Sequence, residues 1–206
     1  MIKIAITGKI GSGKSTITKI IRELGFKVFD SDREVKKALI KKDLINQISK
    51  EFKSKVPGLI KSNTIDKAKL GEFVFSHPDE LKKLEKIVHP KVWESKEKFF
   101  EKNSDAPVVF LDIPLLFEKK LQNKFDFIIR AHVSKEVQKK RVLKRKNMTN
   151  AKFNHIRKAQ TDYSDVEEKF VSLDINMEED IRIVKKNIKN FFCLLYTSDA
   201  ADDDHC

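Results

Sequence analysis

The chain has 206 residues, with 43 Lys and Arg against 31 Asp and Glu and a formal net charge of +12. That length suits one α/β domain carrying small inserted lobes, and no apolar run approaches the ~18 residues that a membrane helix needs. Both cysteines, Cys193 and Cys206, lie in the last segment, so residues 1–192 offer neither a disulfide framework nor a cysteine metal site. The four acids of that segment, Asp199, Asp202, Asp203 and Asp204, are unaccompanied by Lys or Arg, leaving 43 basic and 27 acidic residues, or +16, in residues 1–192. The lysines are spread along the chain and interleaved with glutamates, as on a solvated surface. Neither a nucleic-acid nor a membrane partner is therefore expected. The first strand begins almost at once, with no apolar or Arg/Ser-rich leader, and the expected location is cytoplasmic.

In chain order, Ile2-Lys3-Ile4-Ala5-Ile6 reads as a short apolar strand and residues 16–24 as an amphipathic helix. Between them, Gly8, Gly13, Lys14 and Ser15 occupy the fixed positions of the phosphate-binding pattern G-x-x-x-x-G-K-[ST]. Glycines let such a loop fold back so that successive N–H groups face a polyphosphate. Gly11, Ser12, Gly13, Lys14, Ser15 and Thr16 are the expected nucleotide-binding residues. Lys14 would bring a mobile charge to the β and γ phosphates and Ser15 would ligate Mg²⁺, so ATP and Mg²⁺ are the expected cofactors.

Lys27-Val28-Phe29 reads as a second strand ending at Asp30-Ser31-Asp32, and helical patterns cover about 32–53 up to Val56-Pro57-Gly58. The next helical set opens after Thr64, a suitable N-cap, and a long amphipathic stretch runs from Ser76-His77-Pro78 to about Lys102. Pro90 is expected to kink or split it. Val108-Val109-Phe110-Leu111-Asp112 has the form of a buried parallel strand, and residues 127–133 form another. Helices follow at about 134–146, 150–160 and 177–192. Strands separated by helices predict an α/β fold whose parallel sheet is covered on both faces. The expected division is a core at about 1–58, 106–136 and 165–192, an inserted helical lobe at 59–105 and a lid at 137–164. Residues 193–206 switch abruptly from Lys-rich to Ala/Asp-rich and read as a flexible acidic tail or as non-native read-through.

In an open α/β sheet, ligands collect at the carboxyl ends of the strands, where Asp30, Asp32 and Asp112 are expected. Asp112 closes an apolar strand and suits a Mg²⁺ site, the alternative being a solvent-facing strand cap. Asp30 and Asp32, read as alternating on a strand, would point to similar sides, with one of them accepting the proton of an attacking hydroxyl. Asp32 could instead cap a helix beginning at Arg33. Arginine is scarce, seven residues against 36 lysines, and Arg141 and Arg145 lie four apart on one predicted helix. Their planar forks suit phosphate oxygens, against an equally open reading as a solvated face. His89-Pro90 lies on the inserted lobe, where a lone histidine has no metal-ligand spacing. Trp93, Phe99 and Phe100 read as lobe core.

Taken together, these segments closely resemble the dephospho-coenzyme A kinase family over roughly residues 2–175. Residues 7–16 look like that family's loop, and Val28-Phe29-Asp30-Ser31-Asp32 is similar to its V-I-D-[AS]-D segment. Leu84-Glu85 with His89-Pro90 resembles its lobe motif, and Pro114-Leu115-Leu116-Phe117-Glu118 its P-L-L-x-E segment. Gln138, Arg141, Arg145 and Gln160 fall at its Q-x-x-R-x-x-x-R…Q spacing. Lys9, Lys67 and Lys146 stand where the family commonly carries Gly, Arg and Asp. The resemblance implies a P-loop NTPase-type three-layer α/β/α fold with a helical substrate lobe and a lid. It implies transfer of the ATP γ-phosphoryl group to the ribose 3′-hydroxyl of dephospho-coenzyme A. It assigns Asp32 as base, Lys14 as phosphate ligand, Arg141 and Arg145 as stabilisers of transferring charge, Ser15 and Asp112 as metal ligands, and Asp32, His89, Pro114 and Leu115 to the acceptor. A monomer is expected, with an oligomer left open. The rival readings are a kinase of another small acceptor, such as a nucleoside monophosphate, and a non-catalytic P-loop module.

Overall fold

The computed structural model describes residues 1–146, 148–160 and 168–197. The chain divides into two compact units, residues 1–29 with 105–206, and residues 30–104.

The first unit is built on a five-stranded sheet in the order β2-β5-β1-β6-β7. Its strands are β1 (Ile2–Thr7), β2 (Lys27–Asp30), β5 (Val108–Asp112), β6 (Phe127–His132) and β7 (Leu173–Asn176). β1 runs parallel to β5 and β6, and β6 parallel to β7. Ile4, Ala5, Ile6, Val109, Phe110, Ile128 and Ile129 are buried, as expected of strands covered on both faces. One cover is helix α1 (Lys14–Glu23), which buries Ile17, Thr18, Ile20 and Ile21 at helical spacing.

The last helix, α8 (Ile181–Thr197), buries Val184, Ile188, Phe192 and Leu195 along one stripe. Phe192 packs its ring 4.5 Å from Phe26, which lies 5.4 Å from Phe110. The compositional break at Cys193 therefore falls inside a helix. Leu195 carries the apolar stripe one turn past Phe192, so the helix continues beyond the change in composition. Residues 198–206 lie outside the described residues.

The second unit is helical: α2 (Ser31–Ala38), α3 (Lys42–Phe52), α4 (Lys67–Ser76) and α5 (Pro78–Lys102), with a small hairpin of β3 (Ile60–Lys61) and β4 (Thr64–Ile65). Ser62 and Asn63 both have positive φ (49° and 57°), which closes that hairpin as a tight two-residue turn. Its core joins Leu44, Ile48 and Phe52 of α3 to Leu70 and Val74 of α4 and Val88 of α5. Because α2 and α3 share this core, the unit begins at Asp30 and not near residue 59.

Three local expectations change. The helical pattern at 32–53 is two helices broken at residues 39–41. Asp66 caps α4, accepting from the N–H groups of Ala68 and Lys69, whereas Thr64 sits in β4. Pro90 lies inside an unbroken α5. Pro90 is exposed, while Leu81, Leu84, Val88 and Val92 pack on the core to either side of it, offsetting the ~3 kcal/mol an internal proline costs. Trp93 is 63% exposed, its ring covered by the Lys96 ammonium at 5.2 Å, so it is not lobe core.

Candidate active site

The glycine loop leaves the carboxyl end of β1, the central strand, and runs into α1. Two of its glycines are required by close approach. A Cβ on Gly8 (φ 145°) would stand 2.3 Å from the Ala131 carbonyl oxygen on β6. One on Gly11 (φ 78°) would meet Val142 Cγ2 at 2.6 Å. Any side chain at either position would push the loop off the sheet or off the helix above it. Gly13, also left-handed, is the N-cap of α1 and provides no side-chain cap. The first-turn amides of α1 are thus oriented for an anion, reinforced by the helix dipole.

Lys14 folds back over this loop, its Nζ donating to the Gly8 carbonyl oxygen at 2.7 Å. Ser15 is exposed in the first turn of α1. One turn later, Thr18 Oγ1 donates to Asp112 Oδ2 at 3.4 Å. Ser15 lies three residues before Thr18 on the same helix. A hydroxyl and a carboxylate are the oxygen donors that suit Mg²⁺, which binds through one or two protein oxygens and otherwise through phosphates and water. Ser12 contributes differently from expectation. Its side chain is only 2% exposed and its N–H closes a turn onto the Lys9 carbonyl, so it supports the loop from beneath.

Arg141 lies on α6 (Lys135–Leu143) and Arg145 just beyond its end. The helix is shorter than the expected 134–146, stopping where the Arg145 N–H turns back to the Val142 carbonyl. Both arginines nevertheless line one pocket of about 330 Å³ with Gly11, Gly13, Ser15 and Thr16 of the loop. That volume lies at the lower end of the ~300–1,000 Å³ usual for small-molecule sites. Its far wall is Met177, Glu179 and Ile181, the segment between β7 and α8. Arg141 Nη2 donates to the Met177 carbonyl oxygen at 2.8 Å.

The β7 side of this wall was not predicted as a strand. Leu173 and Ile175 alternate with Asp174 and Asn176, Ile175 is fully buried in the core, and Asp174 has a partner on the next strand. Arg130, 9% exposed, stands in register with Asp174 and donates to both of its carboxylate oxygens, Nε at 3.0 Å from Oδ1. Glu178, next to Met177, accepts the N–H of Ser134 at the start of α6. That bond holds its carboxyl below the usual range.

Two residues noted only for their spacing, Gln138 and Gln160, prove to be buried against the loop. Gln138 Nε2 donates to the Ile10 carbonyl at 2.8 Å, and the Ile10 N–H donates to Gln160 Oε1 at 2.9 Å. Gln160 is the C-cap of α7 (Asn150–Ala159).

Pro114 and Leu115 lie half-buried in the turn that follows Asp112, anchored by the buried Leu116 and Phe117. In the second unit, Asp30 is the N-cap of α2, its Oδ1 accepting the Arg33 N–H at 2.8 Å. Asp32 is therefore in the first helical turn and does not alternate with Asp30 along a strand. Its carboxyl group is exposed. His89 is exposed on α5, its Nε2 3.9 Å from Glu85 one turn earlier. Among the described residues, no three His, Cys, Asp or Glu side chains gather as a metal cluster. None of the described helices is long and apolar enough to cross a membrane.

A parallel sheet whose central strand opens into this glycine loop, with two arginines across the pocket, defines a P-loop phosphotransferase. Residues 2–183 match the family model of dephospho-CoA kinase, and the chain belongs to that family. It is 40% identical over 162 residues to the dephospho-CoA kinase of Rhizobium meliloti (strain 1021), covering 78% of this chain and 81% of the relative. The solved structure of TT1252 from Thermus thermophilus superposes with a TM-score of 0.74 at 28% identity, over 95% and 96% of the two chains. A dephospho-CoA kinase from Campylobacter jejuni gives 0.68 at 25% identity, over 96% and 98%.

Proposed function

We propose that this chain transfers the γ-phosphoryl group of ATP to the ribose 3′-hydroxyl of dephospho-coenzyme A, releasing ADP. The observation that carries this reading is the common pocket of the loop and the two lid arginines, in a chain of this family. In the proposed reaction the 3′-oxygen bonds to the γ-phosphorus while the bond from that phosphorus to the β,γ-bridging oxygen breaks. The hydroxyl proton passes to the carboxylate of Asp32, whose exposure leaves both oxygens available as acceptors.

Little covalent assistance is required for such a transfer, and positioning with charge stabilisation dominates. Gly11, Gly13, Ser15 and Thr16 would offer backbone donors to the phosphates. Lys14 would exchange its bond to the Gly8 carbonyl for one to a phosphate oxygen. Arg141 and Arg145 would face charge developing on the transferred group. Ser15 and Asp112 would hold Mg²⁺, which would supply neutralisation of phosphate charge. Pro114, Leu115 and His89 would contact the acceptor.

The lysine surface supports a small-molecule partner and not a nucleic acid. On α5, Lys82, Lys83 and Lys98 each pair with an acid three or four residues earlier. A cytoplasmic monomer accords with this reading. The test is ADP release measured with dephospho-coenzyme A, AMP, adenosine and no acceptor. Turnover confined to dephospho-coenzyme A is expected, and turnover with AMP alone would overturn the assignment.

A further inference from the structure

Ile10 sits at the apex of the phosphate loop, and both polar groups of its backbone are taken by side chains from outside the loop. Its N–H is held by Gln160 and its carbonyl by Gln138. The chemistry of the peptide dictates the orientation of both amides, because an N–H needs an oxygen and a carbonyl needs an N–H. Gln138 is 5% and Gln160 9% exposed, so these bonds are shielded from competing water. Gln138 lies in the first turn of α6 and Gln160 at the end of α7, the two outer ends of one helical pair. That pair therefore closes on one loop residue from both sides. Gly11, the next residue, packs against the same helix, its missing Cβ lying 3.3 Å from the Gln138 carbonyl oxygen.

Within the loop itself, Lys14 Nζ donates to the Gly8 carbonyl oxygen at 2.7 Å. Ser12 N–H to Lys9 O, at 3.1 Å, is the turn bond that spans Ile10. Glycine at both 8 and 11 leaves the backbone torsionally soft on either side. A loop that must present amides to a phosphate within a few tenths of an ångström needs its apex fixed.

We propose that Gln138 and Gln160 are positioning residues, a two-sided clamp on the Ile10 peptide that sets the Gly11 and Gly13 amides for the ATP phosphates. Its function rests on the kinase reading given above. The clamp acts through the loop, and neither glutamine touches the reacting atoms.

Direction of donation supplies the test. Gln160→Glu keeps an acceptor for the Ile10 N–H, whereas an ionised Gln138→Glu cannot donate and sets a carboxylate against the Ile10 carbonyl. Both variants place the same charge beside the same peptide, so their difference isolates the hydrogen bond. At pH 8, kcat/KM for ATP is expected to be at least about ten-fold lower in Q138E than in Q160E. Q138M and Q160M, which keep side-chain volume, should each lose about ten-fold, and the double variant far less than the ~100-fold product. The KM for dephospho-coenzyme A should stay within about two-fold. Titration of each variant with a non-hydrolysable ATP analogue and Mg²⁺ should give the same order of affinities. That titration tests the clamp even if wild-type enzyme fails to phosphorylate dephospho-coenzyme A, an outcome that sinks the kinase reading alone. Equal Glu variants, additive Met variants, or a fall in Tm with unchanged ATP parameters would overturn the clamp.

Discussion

Arg141 reaches from α6 to the carbonyl oxygen of Met177, 2.8 Å away, and so ties that helix to the segment that follows the edge strand β7. The same guanidinium lines the pocket shared with the loop glycines. A planar fork can hold a carbonyl with one N–H and offer the rest to phosphate, which an ammonium cannot do in fixed geometry.

Arg141→Lys should therefore retain charge but lose this double engagement. A drop in kcat of about 10- to 100-fold is expected, below the 10²–10³ typical of deleting a transition-state donor outright. Thermal unfolding should change little, because Arg141 is exposed. Steady-state kinetics beside a melting curve checks this, and an unchanged kcat would leave Arg141 only its bond to Met177.

Asp32 stands in the first turn of α2, where Asp30 already supplies the cap. The cap reading for Asp32 is thereby removed, since Asp30 makes the cap bond to the Arg33 N–H. Asp32→Asn is expected to bind ATP within about three-fold of wild type while kcat falls by 10²–10⁴, roughly the worth of a general base. Nucleotide titration and single-turnover phosphoryl transfer separate the two effects. Wild-type turnover by this variant would take the base role away from Asp32.

The parts of this architecture legible in the sequence are those written in contiguous residues. β1, β5 and β6 are runs of apolar residues, and the loop is a spaced motif, so both appear without knowledge of neighbours. β7 is harder to see because it is only four residues long: Leu173 and Ile175 alternate with Asp174 and Asn176, but the strand's partner β6, with Arg130 opposite Asp174, lies 44 residues away. Gln138 and Gln160 were visible as a spacing, but their shared partner Ile10 is 128 and 150 residues distant. Asp30 and Asp32 do not share a strand because β2, four residues long, turns straight into α2, and the period of two ends at Asp30. At the C-terminus composition and packing change at different points: the lysine-rich pattern stops before residue 193, whereas the apolar stripe of α8 continues to Leu195.

That stripe can be tested directly. Leu195→Ala removes a side chain that is 7% exposed from the cluster containing Phe192, Ile188 and Val184. A buried Leu→Ala change costs about 2–5 kcal/mol, and a position in the last turns of a helix belongs at the low end. At this chain length each kcal/mol lowers Tm by roughly 2–4 °C. A fall of about 4–8 °C is expected by calorimetry, and an unchanged Tm would leave residues 193–197 reading as a tail.

In the helical unit, Lys55 joins two elements. Its Nζ lies 2.9 Å from Glu51 of α3 and 2.9 Å from Glu80 of α5. Hydrogen bonding to this ammonium holds both carboxyls below their ordinary value of 4.5, and the two acids in turn raise the Lys55 pKa. A carboxyl whose pKa is lower in the folded than in the unfolded chain stabilises the fold above its unfolded value and ceases to do so as pH falls through the folded one. The raised lysine works in the opposite sense. Its contribution is full below 10.5 and fades as pH climbs toward the folded value. Lys55→Met should melt below wild type across neutral pH, with a gap that is flat from about pH 6 to 9 and closes on acidification below about 4.5. Melting curves for both proteins from pH 3 to 9 would show this convergence. A gap that persisted at pH 3 would mean that the contact of the Lys55 ammonium with the Phe52 ring, 5.5 Å to the centroid, matters more than its ion pairs.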